Sequence, residues 1–91
     1  MRISFDSTKR DRTPRDRSLA SEDAAIVFEG ITVEIEDTRK NYGEPHFICY
    51  GVLFERLVVI GYTPRGATRH IFSMRKANDR EKTRLSPYFQ V

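Results

Sequence analysis

Several residue types are scarce or missing, and each scarcity removes a class of protein. There is one cysteine, Cys49, and no tryptophan. A single thiol excludes an internal disulfide and suits a reducing compartment. It stands between Ile48 and Tyr50, the setting of a buried structural thiol rather than a nucleophile. No apolar run is long enough to cross a bilayer as a helix. The N-terminus lacks an apolar signal segment. A cytoplasmic protein without a membrane partner is therefore expected. Two isolated histidines and one cysteine show no ligand spacing, so no metal is expected. No glycine-rich phosphate loop is present, so no nucleotide or other cofactor is expected.

The most informative absence is local. Between Tyr62 and Lys76 there is no carboxylate, while Arg65, Arg69, His70, Arg75 and Lys76 all fall there. At 91 residues the chain has room for one domain, taken as residues 1–91. Its net charge of +3 is mild but unevenly spread. Residues 2–17 are rich in Arg and Lys, 22–37 are acidic, and 56–84 are basic again. That asymmetry suggests an anionic partner, with nucleic acid first, against the plainer reading of a solvated basic face.

Periodicity gives the elements. Arg2-Ile3-Ser4-Phe5 alternates as a short strand. A helix capped at Asp6 or Ser7 would be stopped near Thr13 by Pro14, and a charged arm is the alternative over Lys9 to Arg17. Ser21 is an N-cap for a helix over 22–28, ended by Gly30. Ile31 to Glu36 alternates, which predicts a strand with Ile31, Val33 and Ile35 inward. Strands are expected at His46–Leu53, Arg56–Thr63 and Ala67–Lys76, joined at Phe54-Glu55 and Arg65-Gly66. Asn78 and Glu81 form a capping-box pattern for a last helix, 79–85. The expected class is α+β: a small antiparallel meander with two N-terminal helices packed on it and a C-terminal helix.

Counting through two-residue turns sorts the side chains by face. His46, Ile48, Tyr50, Thr63, His70 and Phe72 fall on one side. Cys49, Arg56, Tyr62, Arg69, Ser73 and Arg75 fall on the other. Metal-independent RNA cleavage needs a base for the 2′-hydroxyl, cations for the phosphorane and an acid for the leaving oxygen. Arg75 and Arg69 are the candidate phosphate clamps, with Lys76 and Arg65 outside them. His70 is the first candidate acid or base, and His46 or Tyr62 the second. Tyr62 could equally stack a base. Ser73 reads as a hydrogen-bond partner and Glu44 as an orienting acid. Each has a structural alternative: a hydrogen-bonded histidine, a half-buried tyrosine, a solvated arginine.

These residues also carry a likeness. Phe5-Asp6-x-x-Lys9, Glu22-Asp23-Ala24-x-x-Val27-Phe28, Gly43-Glu44, Tyr62-Thr63-x-Arg65-Gly66 and Ile71-x-Ser73-x-Arg75-Lys76-Ala77-Asn78-x-Arg80-Glu81 resemble the BrnT toxin family. The resemblance covers Ile3 to about Leu85 and is most specific at its end. It implies a RelE-like ribonuclease that inhibits translation, paired with a BrnA-like ribbon-helix-helix antitoxin. It further implies a hetero-tetramer through antitoxin dimerisation, with operator DNA bound only via the antitoxin. Lys9 would contact RNA, and Arg17 would keep the cationic role of a histidine usual in the family. Arg80, Lys82 and Arg84 would be solvated or meet the antitoxin. Two positions that are usually arginine in the family are His46 and His70 here. A glycine and a phenylalanine common before the second helix are replaced around residues 18–21. Those departures support an alternative: a weakened toxin acting mainly as an antitoxin-binding corepressor.

Overall fold

Strand-forming residues dominate the second half of the chain, and four of the five strands join there or next to it. The computed structural model describes residues 2–5, 21–39 and 41–89. The elements are β1 (Arg2–Phe5), a 3-10 turn (Ser21–Asp23), α1 (Ala24–Glu29), β2 (Val33–Glu36), β3 (Phe47–Leu53), β4 (Arg56–Arg65), β5 (Thr68–Lys76) and α2 (Asp79–Leu85). The sheet order is β1-β5-β4-β3-β2. β2 to β5 run as an antiparallel meander. β1 closes the other edge parallel to β5, Ser4 beside His70 and Phe5 beside Ile71.

The two helices cover opposite faces. α1 buries Ala24 and Val27 against Cys49, Leu53, Val58 and Ile60. Complete burial of a side chain such as Val27 contributes about 1.5–3 kcal/mol. The helix sits this close because residue 51 has no side chain. A Cβ on Gly51 would lie 2.4 Å from Val27 Cγ1. On the other face α2 sets Leu85 against Tyr50, Leu57 and Val59, with Phe89 following. α2 forms where its local signals place it. Glu81 N–H donates to Asn78 Oδ1 and Asn78 N–H donates to Glu81 Oε1, both 2.9 Å, completing the capping box.

The structure corrects the expected architecture. The sheet is mixed rather than purely antiparallel, because β1 pairs with β5 across 66 positions of sequence. Among the described residues there are two short helices, one on each face, not two N-terminal helices layered on the sheet. The expected helix after Asp6, and Lys9 and Arg17, lie outside the described residues. α1 is a six-residue helix whose N-cap position is Asp23, without a side-chain cap bond, rather than a helix capped by Ser21. β2 is a four-residue edge strand, so Ile31 and Ile35 are 77% and 50% exposed while Val33 alone of the three packs inward.

Two register features decide what shares a face. The Phe54-Glu55 turn has φ of 50° and 67°, the left-handed pair of a tight hairpin. The next turn is Gly66-Ala67, one residue later than expected, with Arg65 opposite Thr68. Then the β4–β5 ladder slips. Gly61 pairs with Ser73 but Tyr62 pairs with Ile71, leaving Phe72 as an extra residue. A bulge of this kind changes which side the following residues occupy. Met74 turns to the α1 face with Ile60, and Ser73 and Arg75 pass to the α2 face. The expected grouping of Ser73 and Arg75 with Tyr62 and Arg69 is therefore wrong.

Candidate active site

Three of the expected site residues, Tyr62, Arg69 and Arg75, divide between two built clusters on opposite faces of the sheet. On the α1 face, Arg69 Nη1 donates to Glu34 Oε1 at 3.0 Å and Tyr62 Oη donates to Glu34 Oε2 at 3.0 Å. The Arg69 guanidinium lies 4.6 Å from the Phe28 ring centre and 4.8 Å from that of Tyr62. Tyr62 is 4% exposed and packs against Phe28 and Phe47. Burial, helped by the Glu34 carboxylate, pushes its phenol up to about 12. A buried ring cannot receive an incoming base, and a phenol this weakly acidic is a poor proton donor near neutrality. Cys49 lies under the same cluster, and burial pushes its thiol up to about 12, the state of an inert structural cysteine.

On the α2 face, Arg75 is held at the base of α2. Its Nη1 and Nη2 donate to Glu81 Oε1 and Oε2 at 2.7 and 2.8 Å, a two-pronged pair. The Arg75 hydrogen bonds hold the Glu81 carboxyl down at about 2. The same pairing raises the Arg75 guanidinium. Arg84 Nη2 donates to Tyr50 Oη at 3.1 Å beside it. Lys76, opposite Val58, is at the far end of the ladder from Arg65.

The open end of the α2 face holds both histidines. Thr63 is paired with His70, and His70 with Ser4. Phe47 is opposite Tyr62, so extending that register by one residue sets His46 beside Thr63. One rung thus runs His46, Thr63, His70, Ser4 across four strands. Ser4 Oγ lies 2.8 Å from His70 Nδ1. That contact fixes the imidazole, while Nε2 makes no hydrogen bond among the described residues. His46 is stacked between two rings: Tyr42 at 4.0 Å and Phe72, tilted, at 4.4 Å between centres. Its Nε2 is 3.6 Å from Glu44 Oε2, which is also 3.6 Å from Arg65 Nη2. Tyr42 is tied in turn by donating to Asp37 Oδ2 at 2.9 Å. Arg39 grips the same carboxylate through two nitrogens at 2.9 Å and holds it well below the usual carboxylate range.

The centre of the rung is Thr63. It is 1% exposed, and among the described residues its Oγ1 has no hydrogen-bond partner. A buried hydroxyl left alone is costly, by about 1–3 kcal/mol, so such a group marks a place where a partner belongs. Phe72 covers this area because residue 61 is glycine. A Cβ there would meet the Phe72 ring at 2.6 Å and Ser73 Oγ at 2.5 Å. The structure therefore brings His46, His70, Arg65 and Ser73 to one face. It separates them from Tyr62 and Arg69 by the sheet, and Lys76 lies at the other end of the ladder. Ser4, Thr63 and Phe72 complete the cluster and had no roles in the sequence reading. Ser4 is invisible from sequence because β1–β5 pairing is non-local. Phe72 shows only as an aromatic in an alternating run.

Among the described residues no three His, Cys, Asp or Glu side chains converge to hold a metal ion. No described helix is long and apolar enough to cross a membrane. The described residues thus form a small mixed sheet flanked by two short helices, with two histidines on one rung at one end. The family model described as "Ribonuclease toxin, BrnT, of type II toxin-antitoxin system" matches residues 5–81. The chain belongs to that family, and with it come an RNA target and an antitoxin partner. No curated protein sequence matches the chain.

Proposed function

We propose that the chain is an endoribonuclease that cleaves RNA without a metal ion, and that the histidine rung is its active site. The observation that carries this reading is His70, pinned at Nδ1 by Ser4 on the same face as His46, with the unpartnered Thr63 hydroxyl between them. One histidine takes the proton of the 2′-hydroxyl. The freed oxygen attacks phosphorus, the bond to the 5′-oxygen breaks, and the other histidine returns a proton to that oxygen. The products are a 2′,3′-cyclic phosphate and a free 5′-hydroxyl. Arg65, at the same end of the face, is the nearest candidate cation for the phosphate, and Ser73 a hydrogen-bond donor to the backbone. Arg69 and Arg75 buttress the two clusters described above rather than clamping the phosphate. Cleavage in the cytoplasm stops translation, and a BrnA-like ribbon-helix-helix antitoxin neutralises it.

The test is purified chain and single-stranded RNA with excess chelator. Cleavage with cyclic-phosphate ends is expected, abolished by a 2′-deoxy residue at the cut. Intact RNA, or cleavage restored only by a divalent cation, removes the proposal.

A specific observation supports a second reading. Both candidate phosphate clamps are engaged by carboxylates, Arg69 by Glu34 and Arg75 by Glu81. With histidine at positions 46 and 70, fixed positive charge near the site is low. On this reading the chain is a weakened toxin that tightens antitoxin binding to operator DNA. An operator mobility shift by antitoxin alone, unchanged on adding the chain, would count against it.

A further inference from the structure

The end of the sheet away from the histidines carries a cleft of about 310 Å³. Its floor is Leu57, Leu85 and Phe89; its rim is Arg56, Lys76 and Lys82, with Glu55 to one side. The three floor residues are each 6% exposed or less. They form a fixed hydrocarbon surface rather than rings free to stack on a base. Phe54 and Tyr88, next in sequence to lining residues, are 65% and 62% exposed. Together with the apolar floor, these two exposed rings extend the hydrocarbon surface that a protein segment could cover. The volume sits at the low end of the ~300–1,000 Å³ of well-formed binding pockets, enough for an anchoring side chain.

We propose that this cleft is the docking site of the antitoxin, and that it takes a segment pairing a large apolar side chain with flanking carboxylates. The apolar side chain fills the floor, and the acids meet Arg56, Lys76 and Lys82. RNA fits less well, because a polyanion laid here would press charged oxygens against Leu57 and Leu85. The chain's own residues 6–20 fit less well too. Their five cations, Lys9, Arg10, Arg12, Arg15 and Arg17, outnumber three aspartates and match the sign of the rim. The inference rests on the antitoxin partner that comes with the family and not on the histidine site. Docking at this end leaves the histidine rung at the other end of the sheet uncovered by the anchored segment.

The probe is the antitoxin encoded beside this chain, titrated against the full-length protein. The double variant Arg56→Glu, Lys82→Glu should weaken the complex by about tenfold or more, while Arg2→Glu, on the distant edge strand, changes it by less than about twofold. Circular dichroism checks that the double variant is folded. A second arm leaves the lining intact: p-benzoylphenylalanine in place of Tyr88 should crosslink to an antitoxin peptide carrying acidic and apolar residues. An unchanged dissociation constant, or crosslinking that never reaches the antitoxin, overturns the proposal. So does a double variant that keeps its antitoxin affinity but loses affinity for a single-stranded RNA oligonucleotide, which would assign the cleft to RNA. RNA cleavage by the unbound variants is read separately, so an inert toxin with a lost complex still supports the docking site.

Discussion

Single side chains here hold more than one piece of structure, and Glu81 is the clearest case. Its carboxylate accepts from both terminal nitrogens of Arg75 and from the Asn78 N–H. Glu81→Ala removes a two-pronged charged pair and half of a helix cap, and should cost about 2 kcal/mol, read by urea denaturation. The pH dependence has a definite sign. Arg75 holds the carboxyl at about 2 against an ordinary 4.5. A group with a lowered native pKa stabilises the fold above its unfolded value and ceases to as pH falls through the native one. Stability should therefore decline between about pH 4.5 and 2, and Glu81→Ala should flatten that limb of an acid titration. In the proposed mechanism His70 is the corresponding residue. His70→Ala should lower cleavage by about 10²–10⁴-fold. Ser4→Ala should lower kcat by roughly tenfold with KM nearly unchanged and shift the pH–rate profile, because it acts only through the imidazole. A profile that keeps its shape would leave Ser4 a packing role alone.

Between strands, two short features set the arrangement. The Phe54-Glu55 turn places two non-glycine residues at positive φ, where Asn-Gly is the relaxed choice. Phe54→Asn with Glu55→Gly should raise stability by about 1 kcal/mol, seen as a higher thermal midpoint. The bulge at Phe72 acts in the opposite sense. Gly61→Ala would drive a methyl into the Phe72 ring and Ser73, costing about 1–3 kcal/mol and disturbing the His46 stack. Thermal unfolding and cleavage should fall together in that variant. These features also explain what sequence reading could reach. The capping box at Asn78 and Glu81 is written in four consecutive residues, and α2 falls at 79–85 as expected. The Phe54-Glu55 hairpin follows from two flanking strands. The bulge does not, because nothing in Ile71-Phe72-Ser73 distinguishes an extra residue from a paired one. One unpaired residue was enough to move Ser73 and Arg75 off the face assigned to them. The shared face of His46 and His70 was legible because both lie on the turn side of the slip.

At the scale of the whole molecule, two groups of described basic side chains stand at opposite ends of the sheet with different neighbours. Arg65 stands beside Glu44 and the histidines, while Arg56, Lys76 and Lys82 rim an apolar floor. RNA affinity should weaken as salt rises, with a slope of about −0.7 per neutralised phosphate on a log–log plot. Arg65→Ala should reduce that slope by roughly one contact's worth, measured by fluorescence anisotropy. An unchanged slope would place the phosphate elsewhere.

The parallel edge strand has a consequence in time. β1 leaves the ribosome well before its neighbour on the sheet, β5, which is completed only at Lys76. Until then Ser4 has no His70 to hold, and the rung has no fourth member. Chains extended vectorially fold only as far as their partners have emerged. The proposed active site of a nascent copy is thus assembled only after β1 to β4 have all been made.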